Sequence, residues 1–161
     1  MEEREVKFTL RVYKSTAELL PENAALIEAA RTAIDNAYAP YSNFKVAAAV
    51  LLANGKVLTG TNQENASYPA GICAEGTALS AAASAFPGVA VKKMAITIKR
   101  ASSPVDHPLA PCGICRQRIL EYETRFNTNI EIILMGETGE IYSVASIKDL
   151  LPLNFSKVDL G

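Results

Sequence analysis

All three cysteines of this chain fall in two short patterns, Cys73-Ala74-Glu75 and Pro111-Cys112-Gly113-Ile114-Cys115. No cysteine is left over for another job, so the fold must bring together two segments almost forty residues apart if the thiols act as one group. Three soft ligands with a vacant fourth position is the donor set of a catalytic zinc, whereas a structural zinc is closed by four. A Glu two residues after a ligand can move protons to and from a water at that vacant position. The cysteine arithmetic therefore points to metal-assisted hydrolysis.

The bulk composition narrows the setting. With 161 residues, 49% apolar and 20% charged, the chain is long enough for one domain with a real core. The net charge of −1 argues against a nucleic-acid backbone as partner, which usually meets a basic face, but leaves room for a small neutral nucleoside. Three cysteines cannot pair fully, and their spacing is no disulfide framework, so a reducing compartment is expected. The opening Met1-Glu2-Glu3-Arg4-Glu5 lacks the order of a signal peptide. No apolar run reaches the length of a membrane span. A cytoplasmic, soluble protein is the expectation.

The pattern of apolar residues predicts alternating elements. Val6, Phe8, Leu10 and Val12 alternate as a short strand in a charged N-terminal stretch. Glu22–Ala37 carries Leu26, Ile27, Ala30 and Ile34 at helical spacing, with Pro21 suited to the first turn. Val46–Ala53 is a continuous small-apolar run, typical of a strand covered on both faces. Asn54-Gly55 then signals a hairpin into Lys56–Asn62. Cys73–Phe86 and Cys112–Phe126 read as helices, Met94–Ile98, Ile130–Met135 and Glu140–Val144 as strands, and Ser146–Leu150 as a brief capped helix. Residues 101–111 hold three prolines and form a loop. The order predicts an α/β three-layer sandwich: a mixed central sheet of about five strands with helices on both faces, residues 1–161 in one domain.

Both cysteine patterns stand where a helix begins. Free N–H groups and the positive end of the helix dipole favour anions there, and only the thiolate binds zinc well. Cys112 and Cys115, three apart, share a helical face. Zinc with three thiolates sums to −1, so N–H groups or a cation must temper the charge. Other readings stay open from the residues alone. A Cys-x-x-Cys also serves redox pairs and structural zinc knots, and His107, the only histidine, could close such a knot.

Taken with their surroundings, these patterns resemble the cytidine deaminase family, in its small homotetrameric three-cysteine form. The resemblance runs from about Tyr41 to Phe155. It is carried by Tyr41-Ser42-Asn43-Phe44, Asn62 through Pro69, Gly71-Ile72-Cys73-Ala74-Glu75, Pro111 through Gln117, and Leu150-Leu151-Pro152 ending in Phe155. It implies zinc held by Cys73, Cys112 and Cys115, with Glu75 as the proton shuttle in hydrolysis at C4 of the cytosine ring. By the same resemblance the backbone at Ala74 holds the ring edge, Asn62 and Glu64 contact the ribose, and Phe44 walls the base. Phe155 stacks on the pyrimidine of a neighbouring subunit's site, and Ala66 and Tyr68 reach the sugar end of an adjacent one. The implied substrates are cytidine and 2′-deoxycytidine. The rival substrate is another aminopyrimidine nucleoside, such as a nucleoside antibiotic, and the rival class is a non-catalytic zinc module.

The chain departs from that family pattern in several places. Gly76 stands where many members carry an Arg that tempers the thiolates; helix N–H groups are the expected compensation, with Arg116 a further candidate. Gln63 replaces a usual Ile, Ala47 a usual Gly, and the first 20 or so residues extend beyond the typical start.

Overall fold

Ala47, Ala48, Ala49 and Val50 are fully buried, which is what a small-apolar run requires when both faces of its strand are covered. This segment is the middle of β2 (Phe44–Leu52), near one end of a six-stranded sheet. In the computed structural model, which describes all 161 residues, the other strands are β1 (Arg11–Tyr13), β3 (Val57–Thr61), β4 (Val91–Arg100), β5 (Glu131–Met135) and β6 (Ile141–Val144). The helices are α1 (Pro21–Ala33), α2 (Ala74–Ala85) and α3 (Gly113–Phe126). Strand order is β1-β6-β5-β4-β2-β3. Only β4 and β5 run parallel, and α3 lies in the crossover between them; the other neighbours are antiparallel.

Alternate residues of β2 serve opposite layers. Ala48, Val50 and Leu52 join Ala78 and Leu79 of α2 and Ile119 and Leu120 of α3 in one apolar cluster. Ala47 and Ala49 join Leu26, Ile27 and Ala30 of α1 in the other. The expected three-layer arrangement is present, with α2 and α3 on one face and α1 on the other.

The sheet has six strands where about five are expected. The extra strand is β1, which pairs with β6 in the register Arg11↔Ser143 to Tyr13↔Ile141. An ion pair between Lys14 and Glu140 stands just beyond it. Of the alternating apolar residues in the N-terminal stretch only Val12 lies in the strand; Val6, Phe8 and Leu10 are exposed and outside it. Helix α1 ends at Ala33, and Ile34–Asn36 tightens into a 3-10 turn. The Asn54-Gly55 hairpin closes by a three-residue loop, with Leu52 N–H donating to Lys56 O at 2.9 Å and Gly55 at φ 79°. A left-handed residue ending such a loop is the glycine's usual place.

Two sequence details place α2 and α3 where they are. Gly60 on β3 lets α2 sit directly on the sheet: a Cβ there would stand 2.3 Å from Ala78 N and 2.7 Å from Ala74 O. Glu123, 2% exposed, ties the far end of α3 to the sheet's return. Its carboxylate accepts from Ile130 N–H (2.8 Å), Ile147 N–H (3.0 Å) and Ser146 Oγ (2.7 Å). Asn127, at φ 47°, caps α3 in the left-handed conformation.

On the α1 face, Glu131 and Lys93 form a half-buried pair at 3.2 Å that also gathers Asn23, Glu22 and Ser143. Burial pushes the Glu131 carboxyl up, but hydrogen bonds from Ser143 and Lys93 outweigh it and hold it below the usual range. Its contribution to stability is therefore present above the ordinary carboxylate pKa and fades as pH falls through the lower folded value.

Two outcomes test this account. Gly60→Ala should lower unfolding free energy by about 1–3 kcal/mol, because the added methyl meets helix backbone that cannot step aside; denaturant titration measures it. Glu131→Gln should cost about 1–2 kcal/mol at neutral pH, with the gap to wild type closing in melts taken at progressively more acid pH.

Candidate metal and catalytic site

Cys73 and Cys112 are the N-cap residues of α2 and α3. Both have extended backbone, at φ −73° and −64°, and neither sulfur caps its own helix. The side chains are free to face each other across the two helix starts. Cys115 lies one turn into α3 and is fully buried. The Sγ atoms of Cys73, Cys112 and Cys115 all lie within 4.8 Å of one another, and Cys112 and Cys115 stand 3.5 Å apart. Tetrahedral zinc with bonds of about 2.3 Å needs sulfurs about 3.8 Å apart. An all-sulfur donor set also suits zinc rather than a hard cation. The residues fit a zinc ion.

His107 stands outside this group. It lies in the Pro-rich loop, 65% exposed, beside Asp106. The closed structural knot loses its one candidate fourth ligand. Arg116 is also committed elsewhere: Nε donates to Pro111 O and Nη1 to Leu150 O, both at 2.8 Å, pinning the C-terminal segment to the start of α3. No hydrogen bond joins it to a sulfur.

The thiols share protons unevenly. An S–H bond from Cys115 holds Cys73 down to about 6, against the opposing effects of burial and the Glu75 charge, while Cys115 itself is pushed up. A thiolate is therefore already favoured at the edge of α2, where the free N–H groups gather. Glu75, in the first turn of α2, is 5% exposed. Burial raises its proton affinity above that of an ordinary carboxyl, against the opposing pull of its own backbone N–H, Cys115 and Arg118. A carboxyl in that state can hold a proton and give it back, as acid–base work requires.

A cavity of about 220 Å³ opens beside these groups, lined by Phe44, Val46, Asn62, Cys73, Ala74, Glu75, Ile96, Ile98, Leu109, Ala110 and Cys112. Its walls are mostly apolar. Asn62 is held rigidly: Oδ1 accepts from Val46 N–H at 2.8 Å and Nδ2 donates to Phe44 O at 2.9 Å. Next to it runs an open groove of about 560 Å³, lined by residues that include Tyr41, Asn62, Glu64, Tyr68, Cys73 and Ile114. Glu64 there accepts from Tyr41 N–H at 2.9 Å, Ser42 N–H at 3.3 Å and the Ser42 hydroxyl. The Ser42 hydroxyl leads the bonds that lower its proton affinity, so it stays a carboxylate.

Of the residues singled out from sequence, Phe44, Asn62, Cys73, Ala74, Glu75 and Cys112 meet at the cavity, with Cys115 buried behind them. Glu64 and Tyr68 meet at the groove. Ala66 and Phe155 line neither. Tyr68 is 78% and Phe155 59% exposed, although Phe155 O accepts from Gln117 Nε2 at 2.8 Å. Val46, Ile96, Ile98, Leu109 and Ala110 were not legible as cavity wall. The first three read as ordinary strand residues, and the last two sit in a loop without periodicity.

Comparison with known proteins agrees with this geometry. The family model for the cytidine and deoxycytidylate deaminase zinc-binding region matches residues 21–128. A cytidine deaminase from Sporosarcina psychrophila is 38% identical over 84% of this chain and 93% of its own. A probable cytidine deaminase from Dictyostelium discoideum is 36% identical over 83% of this chain and 84% of its own. Among solved structures, a cytidine deaminase from Burkholderia pseudomallei superposes with a TM-score of 0.70 at 44% identity, covering 81% of this chain and 97% of that one. With a zinc-type sulfur triad on two helix starts and likeness across most of its length, this chain belongs to the cytidine and deoxycytidylate deaminase family of zinc hydrolases.

Proposed function

We propose that this protein hydrolyses cytidine and 2′-deoxycytidine to uridine and 2′-deoxyuridine, releasing ammonia. The observation that carries this reading is the convergence of three sulfurs and the buried Glu75 on one small, mostly apolar cavity. Cys73, Cys112 and Cys115 would hold the zinc. When bound, zinc supplies Lewis-acid activation of the attacking water.

Glu75 does the proton work. Its carboxylate takes a proton from the attacking water and delivers it to ring N3, then takes the remaining proton of the new C4 hydroxyl and passes it to the amino group, which leaves as ammonia as the C4 carbonyl forms. Burial supports this cycle by stabilising the protonated intermediate state of the carboxyl. Phe44 gives the ring an apolar wall, and the Ala74 backbone holds its edge. Asn62, clamped by its own hydrogen bonds to Val46 and Phe44, keeps one amide N–H free for a sugar hydroxyl. Glu64 remains an acceptor for the hydrogen of that hydroxyl.

The finer organisation follows the family. Residues 1–161 act as one domain, with the first 20 or so as an extension. We propose a cytoplasmic homotetramer in which Phe155, Ala66 and Tyr68 complete the sites of neighbouring subunits. Their exposure supports that arrangement, as does the open groove carrying Tyr41, Tyr68 and Ile114 beside Cys73. No helix is long and apolar enough to cross a membrane.

Glu75→Gln separates an enzyme from a zinc module without turnover. The variant should fold and keep its zinc, but lose cytidine turnover by roughly 10²- to 10⁴-fold; absorbance assays and metal content on one sample check both. Wild-type protein that holds zinc yet leaves cytidine untouched would sink the assignment. Phe155→Ala should raise KM for cytidine while zinc content stays unchanged, a split that steady-state kinetics reads directly.

A further inference from the structure

Three thiolates around one zinc leave a charge of −1, and Glu75 adds another negative group a few atoms away. A site that gathers this much negative charge calls for a cation beside it. The position after Glu75 offers none, since it is Gly76. Arg116 is bound to two backbone carbonyls. The helix starts contribute partial charges only.

We propose that Arg118 is the cation of the sulfur centre, reaching it from α3 across the space that Gly76 leaves open. A Cβ placed on Gly76 would stand 2.1 Å from Arg118 Nη1 and 3.3 Å from its Cζ. The guanidinium therefore occupies the volume a side chain at 76 would need. The spacing on the two helices matches. Gly76 lies three residues after Cys73 on α2, and Arg118 three residues after Cys115 on α3, so each shares a face with a sulfur one turn earlier. The charge is not spent elsewhere, because none of the chain's ion pairs includes Arg118. Gly76 and Arg118 thus act as one pair, the first by being small and the second by filling the space with charge. Arg118 touches no reacting atom in this reading; it is a positioning residue that sets the charge of the metal site.

This inference rests on the three sulfurs holding zinc, and the experiment keeps the two apart. Purified wild type, Arg118→Met, Arg118→Gln and the double variant Gly76→Arg/Arg118→Val are compared. Zinc dissociation constants are measured by competition with a chromogenic chelator at one pH, and thermal melts report folding. Met fills the gap without charge, and Gln supplies a second neutral variant should Met disturb the fold. The neutral variants should bind zinc roughly ten- to a hundredfold more weakly, with melts of the metal-free proteins close to wild type. The double variant, with its cation moved to α2, should return to within a few fold of wild type. A neutral variant with wild-type zinc affinity overturns the proposal while leaving the sulfur site intact. A loss that the transposed arginine does not recover overturns it as well. A wild-type protein that takes up no zinc removes both.

Discussion

Three sulfurs within 4.8 Å of one another repel when ionised, and every other feature of the site answers that repulsion. At about 4 Å and an effective dielectric near 20, each thiolate pair costs about 4 kcal/mol. A chain that brings such groups together must supply compensating charge at the same place. Part of that comes from two helix N-termini, whose free N–H groups and dipoles point at the cap residues Cys73 and Cys112. Part comes from a divalent ion suited to sulfur. The fold's task is to hold those two helix starts side by side.

The means are small residues and one buried carboxylate. Gly60 allows α2 to rest on β3 with backbone nearly touching backbone. The alanine run of β2 keeps the sheet thin beneath it, so both faces can be covered closely. Glu123 anchors the far end of α3 through three donors from two separate segments. Position, rather than any special reactivity of a single residue, makes the three thiols one group. The same closeness explains why Gly76 matters: a side chain there would collide with the guanidinium that lies over it.

The elements were legible in the sequence because each has a local cause. The helices that begin at the cysteines, the buried β2 run and the Asn54-Gly55 hairpin all follow from caps, periodicity and turn chemistry. Boundaries moved by up to four residues, the most at the end of α1, where Ile34–Asn36 tightens into a 3-10 turn. The sixth strand was less legible. Three residues, Arg11–Tyr13, join the sheet only because β6 presents an open edge, and nothing within the segment marks where pairing stops. At the site, Cys73, Glu75, Cys112 and Cys115 stood out because residue type and spacing already carry the chemistry. The walls at Ile96, Leu109 and Ala110 did not, since an apolar residue carries no mark of which cavity it will face.

Residue types and their local spacing were thus enough to point to the proposed donor set, the proposed acid–base carboxyl and the alternation of helices and strands. These depend on interactions a few residues long. Which cation answers the sulfurs was decided only in three dimensions. Arg116 is the nearer arginine in sequence, yet it turns to the C-terminal segment, while Arg118 lies over Gly76 from a different helix. Charge acts through space, and distance in space between α2 and α3 is set by the packing of the whole sheet, which no short stretch of sequence encodes.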